Sequence, residues 1–177
     1  MTRAVLSIGS NLGDRLGRLQ SVVDCLGESV VAVSPVYETV PWGGVEQGPF
    51  LNAVVIADDP ARDERGWLAL GQQLERAAER IRDQRWGPRT LDVDLIQVIA
   101  DGAELVIRDP DLTLPHPLAH LRAFVLVPWL DVEPDAELPI AGERRRVTRL
   151  LEDIEPVDKA GVLPTELTLR LSNRADG

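Results

Sequence analysis

Two aspartates, Asp92 and Asp94, sit two residues apart in the run Arg85-Trp86-Gly87-Pro88-Arg89-Thr90-Leu91-Asp92-Val93-Asp94-Leu95-Ile96. The Gly-Pro pair punctuates a turn, and the residues after it read as a β-strand. Side chains alternate along a strand, so Asp92 and Asp94 project from one face while Leu91, Val93 and Leu95 project from the other. Paired carboxylates at a strand mouth make a poor core but a good seat for Mg²⁺. That ion takes oxygen ligands, keeps several waters, and binds one or two carboxylates plus substrate phosphates. Arg89 adds the planar donor fork that matches a phosphate. The chemistry indicated is a metal-nucleotide site. The competing reading of the same residues is a solvated strand edge that Arg89 neutralises.

The surroundings favour the first reading. The chain carries a net charge of −10, which argues against a nucleic-acid partner. Yet Arg76, Arg80, Arg82, Arg85 and Arg89 fall within one short stretch that holds only two acids, Glu79 and Asp83. A positive segment in an acidic protein suits capture of a small polyanion. Lys159 is the only lysine among 19 basic residues, so the clustering of the arginines is more informative than their identity. Neither G-x-x-x-x-G-K-[ST] nor G-x-G-x-x-G occurs, and Gly9-Ser10-Asn11-Leu12-Gly13 has the wrong spacing for either. Bound phosphates would therefore depend on arginines and a metal.

The elements that must position these groups follow from periodicity. At 177 residues a single domain is expected. The patterns predict a strand over 2–9, a turn at Gly9-Ser10-Asn11 and a helix over 12–26. Strands over 30–38 and 50–57 are separated by a loop, 39–49, rich in Gly and Pro. Asp63 should cap a helix with the stripe Trp67, Leu70, Leu74, Ala77, Ala78 and Ile81. The aspartate strand should run to about residue 99, with a short strand over 104–107 and short helices within 117–130 and 147–154. The order β-α-β-β-α-β is that of a ferredoxin-like α/β (α+β) core, an antiparallel sheet with helices packed on it. A single three-layered domain over 1–155 is expected, followed by a C-terminal extension over 156–177 in which the alternating residues 166–172 suggest an added strand.

No run approaches the roughly 18 apolar residues of a membrane helix, and the apolar stretch after Met1-Thr2-Arg3 is too short for a signal peptide. With one cysteine, Cys25, expected as core filler in its helix, a cytoplasmic monomer with no membrane or nucleic-acid partner is the expectation. Taken alone, Phe50 and Phe124 would be core residues. Asn52, among Leu51, Ala53 and Val54, is harder to assign to a core, because a buried amide without a partner is costly. His116 and His120 have no third ligand nearby in sequence, so zinc is not expected, and His120 reads as a surface residue. Trp42 is equally a loop contact or a packing anchor, and Arg144-Arg145-Arg146 a solvated face.

These motifs together resemble the family of 6-hydroxymethyl-7,8-dihydropterin pyrophosphokinases. The resemblance rests on Arg85 to Ile96, Gly9-Ser10-Asn11-Leu12, Tyr37-Glu38-Thr39, Phe50-Leu51-Asn52-Ala53, Leu114-Pro115-His116 and Arg122-Ala123-Phe124, in order, to about residue 155. It implies transfer of the β,γ-diphosphate of ATP to the pterin hydroxymethyl group, with release of AMP and use of two Mg²⁺ ions, in folate biosynthesis. It further implies Asp92 and Asp94 as metal ligands, and Arg80, Arg82 and Arg89 as phosphate-gripping groups. Glu75, Thr113, His116 and Arg122 are implied on the nucleotide side. The pterin would lie between Phe50 and Phe124, with its edge read by Asn52 and the chain around Thr39 and Trp42. Three positions depart from the family pattern and bear on nucleotide affinity: Pro117, where an aromatic is common, and Asp111 and Asp83, where a cation can occur. A Mg²⁺-dependent nucleotidyltransferase and a non-enzymatic ligand-binding module are the alternatives, the first distinguished by release of pyrophosphate in place of AMP.

Overall fold

The computed structural model describes residues 1–41, 48–79 and 90–172. Trp42, Arg80, Arg82, Asp83, Trp86, Arg89 and most of both Gly/Pro-punctuated loops lie outside those residues. The elements are β1 (Thr2–Ser10), α1 (Arg15–Leu26), β2 (Val30–Val33), β3 (Tyr37–Thr39), β4 (Phe50–Asp59), α2 (Glu64–Glu79) and β5 (Asp92–Ala100). There follow β6 (Ala103–Glu104), β7 (Ile107–Arg108), β8 (Thr113–Leu114), α3 (Ala123–Val132), β9 (Glu137–Ile140), β10 (Glu143–Arg146), α4 (Val147–Glu152), α5 (Pro156–Ala160) and β11 (Val162–Pro164).

The main sheet runs β11-β3-β4-β1-β5-β6, with β2 also pairing β4, and all of its pairings are antiparallel. The neighbours of β1 are β4 and β5, the arrangement expected of the β-α-β-β-α-β order. Helices α1 and α2 cover one face over a core of Ala4, Leu6, Ile8, Ala53, Val55, Val93, Leu95 and Val98. Helices α3 and α4 cover the other over Val5, Val54, Ile56 and Ile96. Three layers result.

Local chemistry explains where the boundaries differ from expectation. The first helix begins at Arg15, not residue 12, because Asp14 caps it by accepting the Gly17 N–H at 3.0 Å. The expected 30–38 strand is two strands, since Ser34-Pro35-Val36 interrupts it; both pieces pair with β4. The 104–107 strand likewise divides into β6 and β7. Asp63 caps α2 as expected, accepting the Gly66 N–H at 2.7 Å.

Three further expectations are corrected. Cys25 is exposed, because the buried stripe of α1 is Leu19, Val22, Val23 and Leu26. His120 is half-buried and faces two cavities, so it is not a plain surface residue. The strand added beyond residue 155 is β11 rather than 166–172; it pairs with β3, and the alternating residues instead cross α1, where Gln20 bonds the Arg170 backbone at both N–H and C=O, each at 2.8 Å.

Candidate functional site

Strand register brings the site together. Tyr37, Asn52, Gly9 and Asp92 stand opposite one another in a row across β3, β4, β1 and β5. Ser7 stands opposite Asp94, and Thr39 opposite Phe50. All of these residues project from the face that α3 and α4 cover, at the end of the sheet that those helices leave open. A pocket of about 290 Å³ opens there, lined by Ser7, Gly9, Thr39, Phe50, Asn52, Asp92, Asp94, His116, Arg122 and Phe124.

One end of the pocket is amide and ring. Asn52 and Thr39 are 4% and 3% exposed, and the Asn52 Nδ2 donates to Thr39 Oγ1. The buried amide therefore has a partner, as its burial requires. Gly9 makes room for it: a Cβ on Gly9 would lie 2.5 Å from Asn52 Oδ1 and 3.6 Å from the Phe50 ring. Phe50 and Phe124 are both half-buried and both reach the pocket, so neither is a core residue of the ordinary kind.

The other end is charged. Asp92 and Asp94 share the face, as the alternation predicted, and Arg122 Nη1 lies 3.5 Å from Asp94 Oδ2. The Arg122 guanidinium also stands 5.6 Å from the centre of the Phe124 ring, joining the two ends. His116 is fixed by its backbone N–H to Ile96 O at 2.8 Å. Its Nδ1 accepts the Leu118 N–H at 3.1 Å, which leaves the imidazole proton on Nε2. Burial pushes His116 below the ordinary imidazole value; the Asp94 carboxylate opposes that shift and Arg122 adds to it.

Two carboxylates beside an open pocket suit a hard divalent cation. Among the described residues no group of three or more His, Cys, Asp or Glu is arranged to hold a metal. A cation on Asp92 and Asp94 would thus complete its shell with water and substrate oxygen, the habit of Mg²⁺. The donor set fits that ion.

Not every expected residue lines this pocket. Glu75, on α2, is outside the lining; its Oε1 accepts the Val93 N–H at 2.9 Å, between the two aspartates in the chain. Thr113 lines a neighbouring cavity that shares His116. Asp111, at a position where the resemblance allows a cation, is paired with Arg65 Nη1 at 2.6 Å, and the same guanidinium bonds Asp109. Trp42, Arg80, Arg82 and Arg89 lie outside the described residues. Ser7 is not among the residues expected at the site, and Gly9 is expected only as part of a turn and of the family motif, whereas β1 continues through it to Ser10 and places it in the pocket. Their signal was available, because Val5, Ser7 and Gly9 turn from apolar to small and polar along one face of β1 while Ala4, Leu6 and Ile8 keep the middle of the other apolar.

Comparison with known proteins identifies the family. A 2-amino-4-hydroxy-6-hydroxymethyldihydropteridine pyrophosphokinase of Mycobacterium leprae is 63% identical over 177 residues, 97% of this chain and 93% of its own. The protein of that name from Mycobacterium tuberculosis is 61% identical over 167 residues, 92% of this chain and 89% of its own. That of Pseudomonas aeruginosa is 38% identical over 141 residues, 77% and 84% of the two chains. Among solved structures, the wild-type HPPK-DHPS of Plasmodium falciparum with pterin and p-hydroxybenzoate superposes with a TM-score of 0.63 at 14% identity. The match covers 85% of this chain and 42% of that longer one, and at this identity it speaks to the fold alone. The model of the 7,8-dihydro-6-hydroxymethylpterin-pyrophosphokinase (HPPK) family matches residues 5–134, and with these identities the chain belongs to that family.

Proposed function

We propose that the pocket on the open end of the sheet is where this chain transfers the diphosphate of ATP to the hydroxymethyl group of 6-hydroxymethyl-7,8-dihydropterin, giving AMP and the pterin diphosphate. The observation that carries the reading is the meeting, in one cavity, of a ring-and-amide end with a two-carboxylate end. A flat heterocycle suits stacking on Phe50 and Phe124. The Asn52 amide and Thr39 hydroxyl supply donors and acceptors for its edge. The hydroxymethyl group then lies toward Asp92 and Asp94.

Chemically, the hydroxyl oxygen forms a bond to the β-phosphorus, the bond between that phosphorus and the α,β-bridging oxygen breaks with its electron pair leaving on AMP, and the hydroxyl proton passes to solvent. Such transfer asks the protein for positioning and charge neutralisation, not for a covalent intermediate. Asp92 and Asp94 would hold Mg²⁺, two ions being expected, and the bound metal would neutralise phosphate charge and lower the pKa of the attacking hydroxyl. Arg122 adds fixed positive charge at the same end. His116, kept neutral with its proton on Nε2, offers phosphate oxygen a donor without becoming a base. Glu75 and Thr113 complete the nucleotide side in this reading. Arg80, Arg82 and Arg89 cover the transferred group, and Trp42 contacts the pterin.

The reading takes residues 1–155 as the catalytic unit and 156–177 as an extension. It places a monomer in the cytoplasm. The lone Cys25 needs no oxidising compartment, and no helix among the described residues is long and apolar enough to cross a membrane.

The test is product analysis. Purified protein with ATP, 6-hydroxymethyl-7,8-dihydropterin and Mg²⁺ should release AMP in step with pterin diphosphate, and chelation should stop it. Release of pyrophosphate with nucleotide joined to the pterin would establish the nucleotidyltransferase instead.

A further inference from the structure

The pterin end of the pocket is built from Thr39 and Phe50, which stand opposite each other at the two ends of the chain segment that joins β3 to β4. The β3–β4 ladder sets their register, and a side-chain tie on the other face of the sheet joins the same two ends. The neighbouring side chain, Glu38, alternates to the opposite face of the sheet from Thr39, toward α1. There Arg15 Nη1 donates to Glu38 Oε2 at 3.2 Å and to the Pro49 carbonyl at 3.0 Å. One guanidinium nitrogen thus joins the residue before Thr39 to the residue before Phe50. Arg15 is itself held firmly. Gly13 turns the chain with φ +68°, the Arg15 N–H bonds Gly13 O at 3.0 Å, and Asp14 caps the helix that Arg15 opens. A Cβ on Gly17 would strike the Asp14 carboxylate at 2.2 Å, so that cap is closely fitted.

We infer that Arg15 is a positioning residue for pterin recognition: it braces the end of the ladder that carries Thr39 and Phe50 from behind the sheet, through Glu38 and Pro49, without lining the pocket. The inference rests on the pterin reading of that pocket. Arg15 and Glu38 are 30% and 40% exposed, so their ion pair adds little to overall stability. The effect should therefore fall on geometry, where small misplacements are costly.

The experiment measures pterin affinity by calorimetry with α,β-methylene-ATP present, affinity for that nucleotide alone, and Tm, for Arg15→Ala, Arg15→Lys and Glu38→Gln. Arg15→Ala should weaken the pterin about tenfold, a change within reach of one mispositioned contact. Nucleotide affinity should stay within about twofold, since the arginine touches only the pterin end. Glu38→Gln, which leaves the Pro49 bond, should weaken pterin less, and Arg15→Lys should recover part of the loss. Unchanged pterin affinity in Arg15→Ala would overturn the inference. So would parallel losses of both ligands that track a fall in Tm, which would mark a merely structural residue. Phe50→Ala separates the two levels. If it weakens the pterin while Arg15→Ala does not, only this inference fails; if Phe50→Ala also has no effect, the pterin reading of the pocket fails first.

Discussion

On the face of the sheet under α1 and α2, the middle of β1, β4 and β5 is apolar, with Ala4, Leu6 and Ile8, Ala53 and Val55, and Val93, Leu95 and Val98; polar residues stand only toward the strand ends, at Thr2, Ser10 and Asp59. On the other face the same strands change character partway along. Val5, Ile56, Val54 and Ile96 pack under α3 and α4, and then the rows continue as Ser7, Gly9, Asn52, Asp92 and Asp94. The change falls where the helices end. A sheet face buried under helices favours apolar positions, because an unpartnered polar group costs free energy, and Thr2 on that face is partnered by the Trp67 indole N–H at 2.9 Å. The face that carries the site can spend its remaining positions on charge and hydrogen bonding, held rigid by the closed face behind it. Gly71 shows how close that backing is, since a Cβ there would lie 3.2 Å from the Val93 side chain, directly behind the aspartate pair.

The comparison can be broken most sharply by one substitution on each face. Leu6→Ala, on the closed face, should cost about 3 kcal/mol of stability, because the buried site cannot collapse around the lost methyls. Asp94→Ala or Asp92→Ala should instead lower turnover by at least about a hundredfold, the size of a lost metal-borne charge stabilisation. Denaturant melts of the aspartate variants should stay close to the parent. Retained turnover with folding intact would remove the metal assignment, and a large stability loss would mean that the two faces do not divide their labour.

Gly9→Ala comes next. Its methyl would meet Asn52 Oδ1 at 2.5 Å, in a strand whose closed face cannot yield. Displacing a buried amide from its Thr39 partner should cost about 2 kcal/mol. That loss should appear chiefly in pterin affinity by calorimetry; a loss confined to the nucleotide would place the pterin elsewhere. Phe124→Ala should be milder. Loss of one face of an aromatic stack is worth about 1 kcal/mol, and calorimetry with each ligand separately should show the pterin alone affected. Equal losses would return Phe124 to the core.

The smallest effect concerns the tie between the two walls of the open face. The Tyr37 hydroxyl on β3 donates to Asp131 on α3, and burial first, then that carboxylate, pushes the phenol up to about 12 from 10.0. A raised folded value favours the protonated form in the native state. Its stabilisation is complete below the unfolded value near 10.0 and is lost as pH rises through that value toward about 12. Chemical denaturation of the parent should therefore weaken across that window more than that of Tyr37→Phe. Identical pH profiles would show that the tie carries no stability.

Much of the site was legible in the sequence because it depends on short-range rules. Alternation alone put Asp92 and Asp94 on one face, and the Asn52 amide in an apolar run already pointed to a specific partner. Phe50 and Phe124 were legible only through their resemblance to a family, since by composition each belonged in a core. Ser7 went unread and Gly9 was read only as a turn and a family motif, although their parity marked them for the open face, because a serine and a glycine in a strand carry little signal singly. Helix starts were misplaced where a cap decided them, at Asp14. The added strand was misplaced because alternation over 166–172 cannot say whether a partner edge is within reach, and the edge of β3 was already taken by residues 162–164.

What the sequence determined by itself is therefore the set of elements, their apolar faces and the chemical types gathered on one strand mouth. Only the tertiary structure decided which faces meet. The register break between Val5 and Leu6, where β5 carries one extra residue, is the clearest case. Strict alternation would put Val98 on the same face as Asp94. The bulge reverses the parity, so that Val98 joins Leu95 in the closed core while Asp92 and Asp94 keep the open face. A bulge is a property of two paired strands; Arg122 and Phe124, at the start of α3, likewise reach the site because α3 packs across β4, and His116 because its backbone N–H bonds Ile96 O of β5. Pairing and packing energies act between residues far apart in the chain, and no local pattern records them.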